Sequence, residues 1–357
     1  MPPSLSDRIR QSILDSGPLP VDRYIELCLN DPDDGYYARR PNLGEFGDFI
    51  TAPLVSQMFG ELLGLWVVEV WRRLGSPDCV RLVELGPGLG VMMSDMLRAA
   101  SVRQDFRQAC QIWLVETSSV LRVRQMSALA GNPEVRWAKR LEDIPAGDPT
   151  IVVANEFLDC LPIRQAVRDL DGWRERCIGT RPQGGFEFVS GEIVAPPHAP
   201  EAPPGAIFEW SPAMTGAAGV MADIVMRDRG AALMIDYGWD GPALGDTLQA
   251  VSGHNKRHPL EHPGQADLTA HVDFPNVLAA ARAAGARVTR IRDQGDFLED
   301  LGISARAARL ATIHPERQPQ ILRQHERLTG IHEMGRLFKV AAIASGDLSL
   351  PALELVQ

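Results

Sequence analysis

The chain has 357 residues, 45% of them hydrophobic, 23% charged, with a formal net charge of -10 at pH 7. That length and apolar content suit one large domain with additions, or two domains, around a sizeable core. The acid excess argues against bulk contact with nucleic acid or an anionic membrane and leaves a basic protein partner open.

Leu5, Ile9, Ile13 and Leu14 share one face of a first helix, stopped at Gly17-Pro18, and a second short helix is expected over Val21 to Leu29. Residues 31–55 are rich in Gly, Pro and Asp and read as loop. The stretch "SQMFGELLGLWVVEVWRRLG" then carries a helical apolar stripe (Phe59, Leu62, Leu63, Trp66, Val67, Val70, Leu74) that ends at Gly75. Gly60 and Gly64, one turn apart, leave room for another element to pack closely. Residues 1–75 are therefore expected to form an N-terminal helical layer.

From residue 80 strands and helices alternate. Strands are expected at 80–85, 111–116, 134–137, 150–155, 231–236, 286–291 and 336–343, and helices at 91–100, 118–130, 212–229, 275–284 and 317–334. This rhythm predicts an α/β fold with a mostly parallel seven-stranded sheet covered on both faces, spanning 76–346, with 347–357 as a tail. Residues 164–205 break the rhythm as a β-rich insertion, with hairpins around Asp171-Gly172 and Gly184-Gly185 and a Pro-rich close. Residues 240–274 read as a long loop, the kind that forms lids or binding loops. It holds His254, His258, His262 and His271. Prolines interrupt the run and no cysteine joins it, so no metal site is expected.

The chemistry concentrates at two strand ends. In "LVELGPGLGVMM" an apolar strand ends at Glu84, then Gly86, Gly88 and Gly90 lead into a helix. This opens a nucleotide-type unit, but GxGxG is not the dinucleotide fingerprint, because Val91 stands where the third glycine belongs. S-adenosylmethionine (SAM) has no phosphate and carries an ammonium group, which Glu84 would complement. Glu116, ending the next strand, would take both ribose hydroxyls. An NAD site would place an acid similarly, so Glu116 alone does not choose. In "VVANEFLDCLP" the strand 150–155 ends at Asn155, followed by Glu156 and Asp159, where ligands of open parallel sheets bind. Helix capping and an exposed first turn explain the same residues without function. Asp236 in "MIDYGW" stands at another strand end.

"GDFITAPLVSQMFGELLG" at 47–64, "LVELGPGLG" at 82–90, "ANEFLDCLP" at 154–162, "IDYG" at 235–238, "DLTAHVDF" at 267–274 and "MGRLFKV" at 334–340 occur in this order. Together they resemble the MidA family, whose mitochondrial members assist assembly of respiratory complex I. The resemblance spans nearly the whole chain. It implies a class I SAM-dependent methyltransferase core, Rossmann-like, with SAM as cofactor and protein arginine methylation to symmetric dimethylarginine on a complex I subunit. In that frame Asp48 and Thr51 hydrogen-bond the amino-acid end of SAM within a lid. Glu84, Gly86, Gly88, Gly90, Glu116 and Asn155 complete the cofactor site. A cationic acceptor would be gripped by Glu156 with Asp159, Asp236 or Asp273. A methyltransferase of a small molecule or nucleic acid, and a non-catalytic assembly factor on the same fold, remain open alternatives.

The five cysteines are scattered without a CxxC pair, as in a reducing compartment. No apolar run reaches the roughly 18 residues of a membrane span. The N-terminal residues lack a secretory apolar stretch and a convincing presequence. A bacterial cytoplasmic protein is expected, or a mitochondrial matrix one if eukaryotic. A homodimer stays open.

Overall fold

The computed structural model describes residues 3–38, 51–132, 135–241, 244–253 and 255–356. Asp48, with the rest of the expected lid up to residue 50, and His254 lie outside the described residues. The chain folds into two compact units, one of Met1–Phe49, Asp159–Met214 and Gly241–Pro275, the other of Ile50–Leu158, Thr215–Asp240 and Asn276–Gln357. The segment 1–75 contributes to both.

In the second unit the helix α1 (Gln57–Arg73) precedes strand β1 (Val80–Leu85), helix α2 (Val91–Ala100), strand β2 (Cys110–Val115) and helix α3 (Ser119–Ala128). Strands β3 (Val135–Ala138), β4 (Thr150–Asn155), β5 (Gly230–Trp239) and β6 (Phe338–Ala344) follow. Every residue of β1 and β4 is buried, as required of strands covered on both faces. The order β3-β2-β1-β4-β5 is parallel throughout. Strand β6 joins β5 antiparallel, from Ala231 opposite Ala344 to Tyr237 opposite Phe338.

The sheet is therefore mixed, which corrects the seven-stranded, mostly parallel expectation at its C-terminal edge. The strand expected at 286–291 shrinks to Arg287–Val288, and Arg292–Asp293 forms a second short piece, both antiparallel to β6. Thr289 explains the break. Its hydroxyl accepts the Ala342 N–H at 2.9 Å, while the Arg290 N–H turns to the Glu354 carbonyl at 2.9 Å. A side chain thus replaces a ladder partner, and the chain leaves the sheet to meet the C-terminal residues. The helix expected at 317–334 stops at Thr329 before Gly330, with a separate turn at Met334–Leu337, and the helix Ile303–Ile313 was not foreseen.

Helix α1 belongs to the core of this unit. Phe59, Leu63 and Met58 are wholly buried, each stabilising the fold by about 1.5–3 kcal/mol. The Gly60/Gly64 pair permits the close approach anticipated from its spacing. A Cβ at Gly64 would lie 2.4 Å from the Met96 carbonyl oxygen, and one at Gly60 2.6 Å from the Asp95 Cβ, both in α2. The indole of Trp66 donates to the Pro351 carbonyl at 3.1 Å, tying the C-terminal residues to the same core.

The first unit begins with the helix Leu5–Ser16, whose Ser4–Asp7 capping box satisfies two main-chain donors, and Gly17 ends it at φ 89°. The helix Val21–Asn30 follows. The insertion forms antiparallel hairpins, as expected. Trp173–Thr180 pairs with Arg164–Arg168 on one side and Phe186–Val194 on the other, and Ile207–Trp210 extends the sheet. Ser211 then accepts the Met214 N–H at 3.0 Å and caps the helix Pro212–Asp228. The described residues of 240–274 include short strands as well as loop. Gln249–Ser252 pairs antiparallel with Asn255–Arg257 and with Asp267–Thr269. Strands of three or four residues carry too little periodicity to be seen in sequence.

Candidate functional site

Strand β1 lies between β2 and β4, and the chain leaves β1 toward β2 on one side and returns through β4 on the other. Such a reversal opens a crevice at the carboxyl ends of the strands, the usual ligand position in open α/β sheets. Both loaded stretches of the sequence sit there, Glu84 with the glycine turn on β1 and Asn155 with Glu156 on β4.

Gly86, Gly88 and Gly90 have φ of 60°, 50° and 79°, in the left-handed region that side chains disfavour. A Cβ at Gly86 would meet the Phe157 ring at 3.0 Å, and one at Gly90 the Cα of Gln125 at 3.3 Å. The turn therefore needs glycine both for its backbone angles and for its close neighbours.

Glu84 is 2% exposed, and its Oε2 has no hydrogen-bond partner among the described residues. Burial pushes its carboxyl up to about 8, opposed by a hydrogen bond from the Met93 main chain. Asn155 is similarly buried. Its amide NH2 donates to Glu156 Oε1 at 3.1 Å, and its Oδ1 is without a partner among the described residues. Buried acceptors left unmatched cost free energy unless a donor arrives. Two of them, at the ends of adjacent strands, suit an ammonium group.

Glu116 stands just past the end of β2 and is buried. Its Oε1 accepts the Ser118 N–H at 2.7 Å and its Oε2 accepts from Gln125 Nε2 at 3.0 Å. Burial raises its carboxyl above the ordinary range despite these hydrogen bonds. A carboxylate offers about four lone-pair sites, and with the Thr117 main chain as a further donor, capacity remains for a ribose hydroxyl. Gln125 of α3 escaped the sequence analysis. It is fully buried, and its NH2 also donates to the Gly88 carbonyl at 2.9 Å, while its Oε1 accepts from Trp137 Nε1 at 2.9 Å. The one signal was its place, a turn after Leu121 on the buried face of α3.

Glu156 adopts φ 49°, a strained angle for a non-glycine residue. Its N–H donates to the Ile235 carbonyl at 2.9 Å, and its Oε1 accepts the Ala52 N–H at 2.8 Å, at the start of the short helix Ala52–Val55. Thr51 is the N-cap of that helix, and its side chain makes no capping bond. Asp236, at 1% exposure, accepts main-chain donors. Its Oδ2 accepts the N–H groups of Phe157 and Leu158 at 3.2 and 2.9 Å, and its Oδ1 accepts that of Tyr237 at 3.0 Å. These bonds fix the segment that carries Glu156.

Asp159 and Asp273 belong to the first unit. Asp159 is buried, and its carbonyl accepts the Ala270 N–H at 3.0 Å. The Tyr37 hydroxyl of the same unit lies 3.1 Å from Cys160 Sγ and 3.3 Å from Asp267 Oδ1. Burial, then Asp267, Cys160 and Asp159, hold that phenol protonated far above its usual range. Asp273 immediately precedes the helix Phe274–Ala283 and is half-buried. Glu209, a second acid at a strand end there, accepts from Gln165 and Thr247. Among the described residues no group of three or more His, Cys, Asp or Glu is placed to hold a metal ion, and no helix is long and apolar enough to cross a membrane.

Comparison with known proteins bears on this geometry. A family described as "Putative S-adenosyl-L-methionine-dependent methyltransferase" matches residues 62–292. The Drosophila melanogaster protein named "Protein arginine methyltransferase NDUFAF7 homolog, mitochondrial" is 36% identical over 97% of this chain and 86% of its own length. The human protein arginine methyltransferase NDUFAF7, mitochondrial, is 33% identical over 93% of this chain and 81% of its own. A Burkholderia thailandensis protein crystallised with S-adenosyl-homocysteine superposes with a TM-score of 0.87 at 28% identity, covering 98% of this chain and 94% of that one.

Proposed function

Because the chain belongs to the MidA family of S-adenosyl-L-methionine-dependent methyltransferases, we propose that it methylates arginine in a protein, and that the acceptor is a subunit of respiratory complex I. The observation that carries the cofactor site is the pair of unmatched buried acceptors, Glu84 Oε2 and Asn155 Oδ1, beside a positive-φ glycine turn. The arginine acceptor is supported by the names of the relatives and by the acidic segment that follows β4.

In this mechanism Glu84 and Asn155 hold the ammonium end of the donor, and Glu116 accepts from its ribose. The bare main chain of Gly86, Gly88 and Gly90 lets it come close. Thr51, at the start of the short helix Ala52–Val55, is assigned to its amino-acid end. The donor supplies an electrophilic methyl carbon on a sulfonium. Positioning is the enzyme's main contribution, since holding nucleophile and methyl in line can lower a barrier by about 7–11 kcal/mol. Glu156 faces the acceptor guanidinium, whose pKa lies above about 12. A carboxylate there pairs with the guanidinium and concentrates its charge away from the attacking nitrogen. As the new N–CH3 bond forms and the S–CH3 bond breaks, the attacking nitrogen gives its proton to a carboxylate or to water. Asp236 acts through Glu156, by fixing the main chain of Phe157 and Leu158.

The test is transfer of tritiated methyl groups from SAM into a cell lysate, with the protein and with Gly88→Val. Label recovered as dimethylarginine supports the assignment. Label in RNA or a metabolite, or none above the Gly88→Val control, contradicts it. Glu156→Gln is expected to leave S-adenosyl-homocysteine affinity within about threefold while slowing methyl transfer by about a hundredfold, the lower bound for loss of one positioned polar group. Unchanged turnover would remove Glu156 from the mechanism.

A further inference from the structure

We infer that Gln125 is the positioning residue that makes this site selective for an intact ribose, a role resting on the cofactor site proposed above. Three bonds fix its amide. The indole N–H of Trp137 can only donate, so the amide oxygen must face it, at 2.9 Å. The NH2 is thereby turned the other way, and its two hydrogens meet the Gly88 carbonyl at 2.9 Å and Glu116 Oε2 at 3.0 Å. The amide cannot flip without setting its oxygen against two acceptors and its NH2 against a donor.

The consequence falls on Glu116. Its carboxylate is held from both sides, Oε1 by the Ser118 N–H at 2.7 Å and Oε2 by Gln125. The Thr117 main-chain N–H donates to the same carboxylate, so its orientation is held at three points. A ribose hydroxyl needs an acceptor in a fixed position, and a freely rotating carboxylate would present it only part of the time. Gln125 also joins the Gly88 carbonyl to the same amide, so the glycine turn and the ribose acid keep one relative placement. Gln125 is fully buried and 37 residues from Gly88 in sequence. A buried amide with its polar atoms engaged holds a single geometry better than an apolar side chain of the same size.

The test is calorimetric binding of S-adenosyl-homocysteine and of its 2′-deoxyribose analogue. The wild type is expected to prefer the ribose compound by at least about tenfold, the scale of one hydrogen bond to a charged acceptor. Gln125→Met removes the clamp at similar volume and should reduce that preference to about threefold or less. Trp137→Phe deletes only the indole donor, frees the amide to flip, and should reduce the preference partially while leaving Gln125 in place. Gln125→Glu sets a carboxylate against Glu116 and the Gly88 carbonyl and should weaken the ribose compound most at high pH. A merely structural role would weaken both ligands equally. An unchanged preference in whichever of Gln125→Met and Trp137→Phe folds would overturn the assignment. Absence of S-adenosyl-homocysteine binding by the wild type would overturn the cofactor site itself, and this inference with it.

Discussion

Glu61 and Glu84 are buried carboxylates of the same unit, and they live in opposite surroundings. Glu61 of α1 is 5% exposed, paired with Arg98 and with both Nε and Nη2 of Arg306 at 2.7 and 2.9 Å. Burial raises its carboxyl, but the two guanidiniums outweigh that and hold it below its usual range. Glu84 has no ion pair among the described residues, and burial, opposed by the Met93 main chain, raises it to about 8. A buried acid with its cations already in place is structural. A buried acid lacking one, at a strand end beside a glycine turn, is the expected site of a cationic ligand group.

The largest expected effect comes from filling the turn next to the lonely acid. Gly88 sits at φ 50°, where a valine costs about 1–2 kcal/mol in backbone strain and places a branched side chain where the ligand must approach. Gly88→Val should weaken S-adenosyl-homocysteine binding by about a hundredfold or more in calorimetry and lower the melting temperature only modestly. Retained affinity would show that the turn is not the binding surface.

Exchanging each acid for its amide separates the two roles. Glu84→Gln should cost about 1.5–3 kcal/mol of ligand affinity, the worth of a charged hydrogen bond, with no loss in the stability of the free protein. Glu61→Gln should do the reverse. It should destabilise the fold by about 2 kcal/mol in urea unfolding, below the full cost of breaking a buried pair because Arg98 is about half exposed and rehydrates, while affinity stays put. If Glu61→Gln reduced affinity as much as Glu84→Gln, the contrast would be lost.

The smallest effect is in pH. Glu84 binds its proton more tightly in the folded free protein than at its unfolded value of 4.5, so its contribution favours folding at low pH and fades as pH rises through about 8. Glu61 has the opposite sign. The stability from its ion pairs is present above its unfolded value and is lost as pH falls through its lowered folded one. A bound ammonium favours ionised Glu84, so ligand binding releases up to one proton. Affinity should rise at most about tenfold per pH unit toward pH 8, then level. Glu84→Gln should flatten that rise, and an equal slope in both proteins would assign the proton elsewhere.

Local patterns were legible in the sequence. The apolar run, Glu84 and the three glycines announced a strand, a tight turn and a helix. Gly60 and Gly64 announced a close helix contact. What escaped depends on partners distant in the chain. Thr289 breaks its strand because its hydroxyl finds Ala342, and nothing near residue 289 announces that. Gln125 looks like any helical polar residue until α3 packs and Trp137 reaches it. Asp236 stands out in sequence as a strand-end acid, and only the fold reveals that the N–H groups of Phe157 and Leu158 converge on it.

A crystal structure of the protein with S-adenosyl-homocysteine tests the central claim most directly. The ligand ammonium should lie within hydrogen-bonding distance of Glu84 Oε2 and Asn155 Oδ1, with a ribose hydroxyl on Glu116 and the chain of Gly86–Gly90 against it. A ligand bound away from these strand ends, or one that leaves Glu84 still without a donor, would contradict the account.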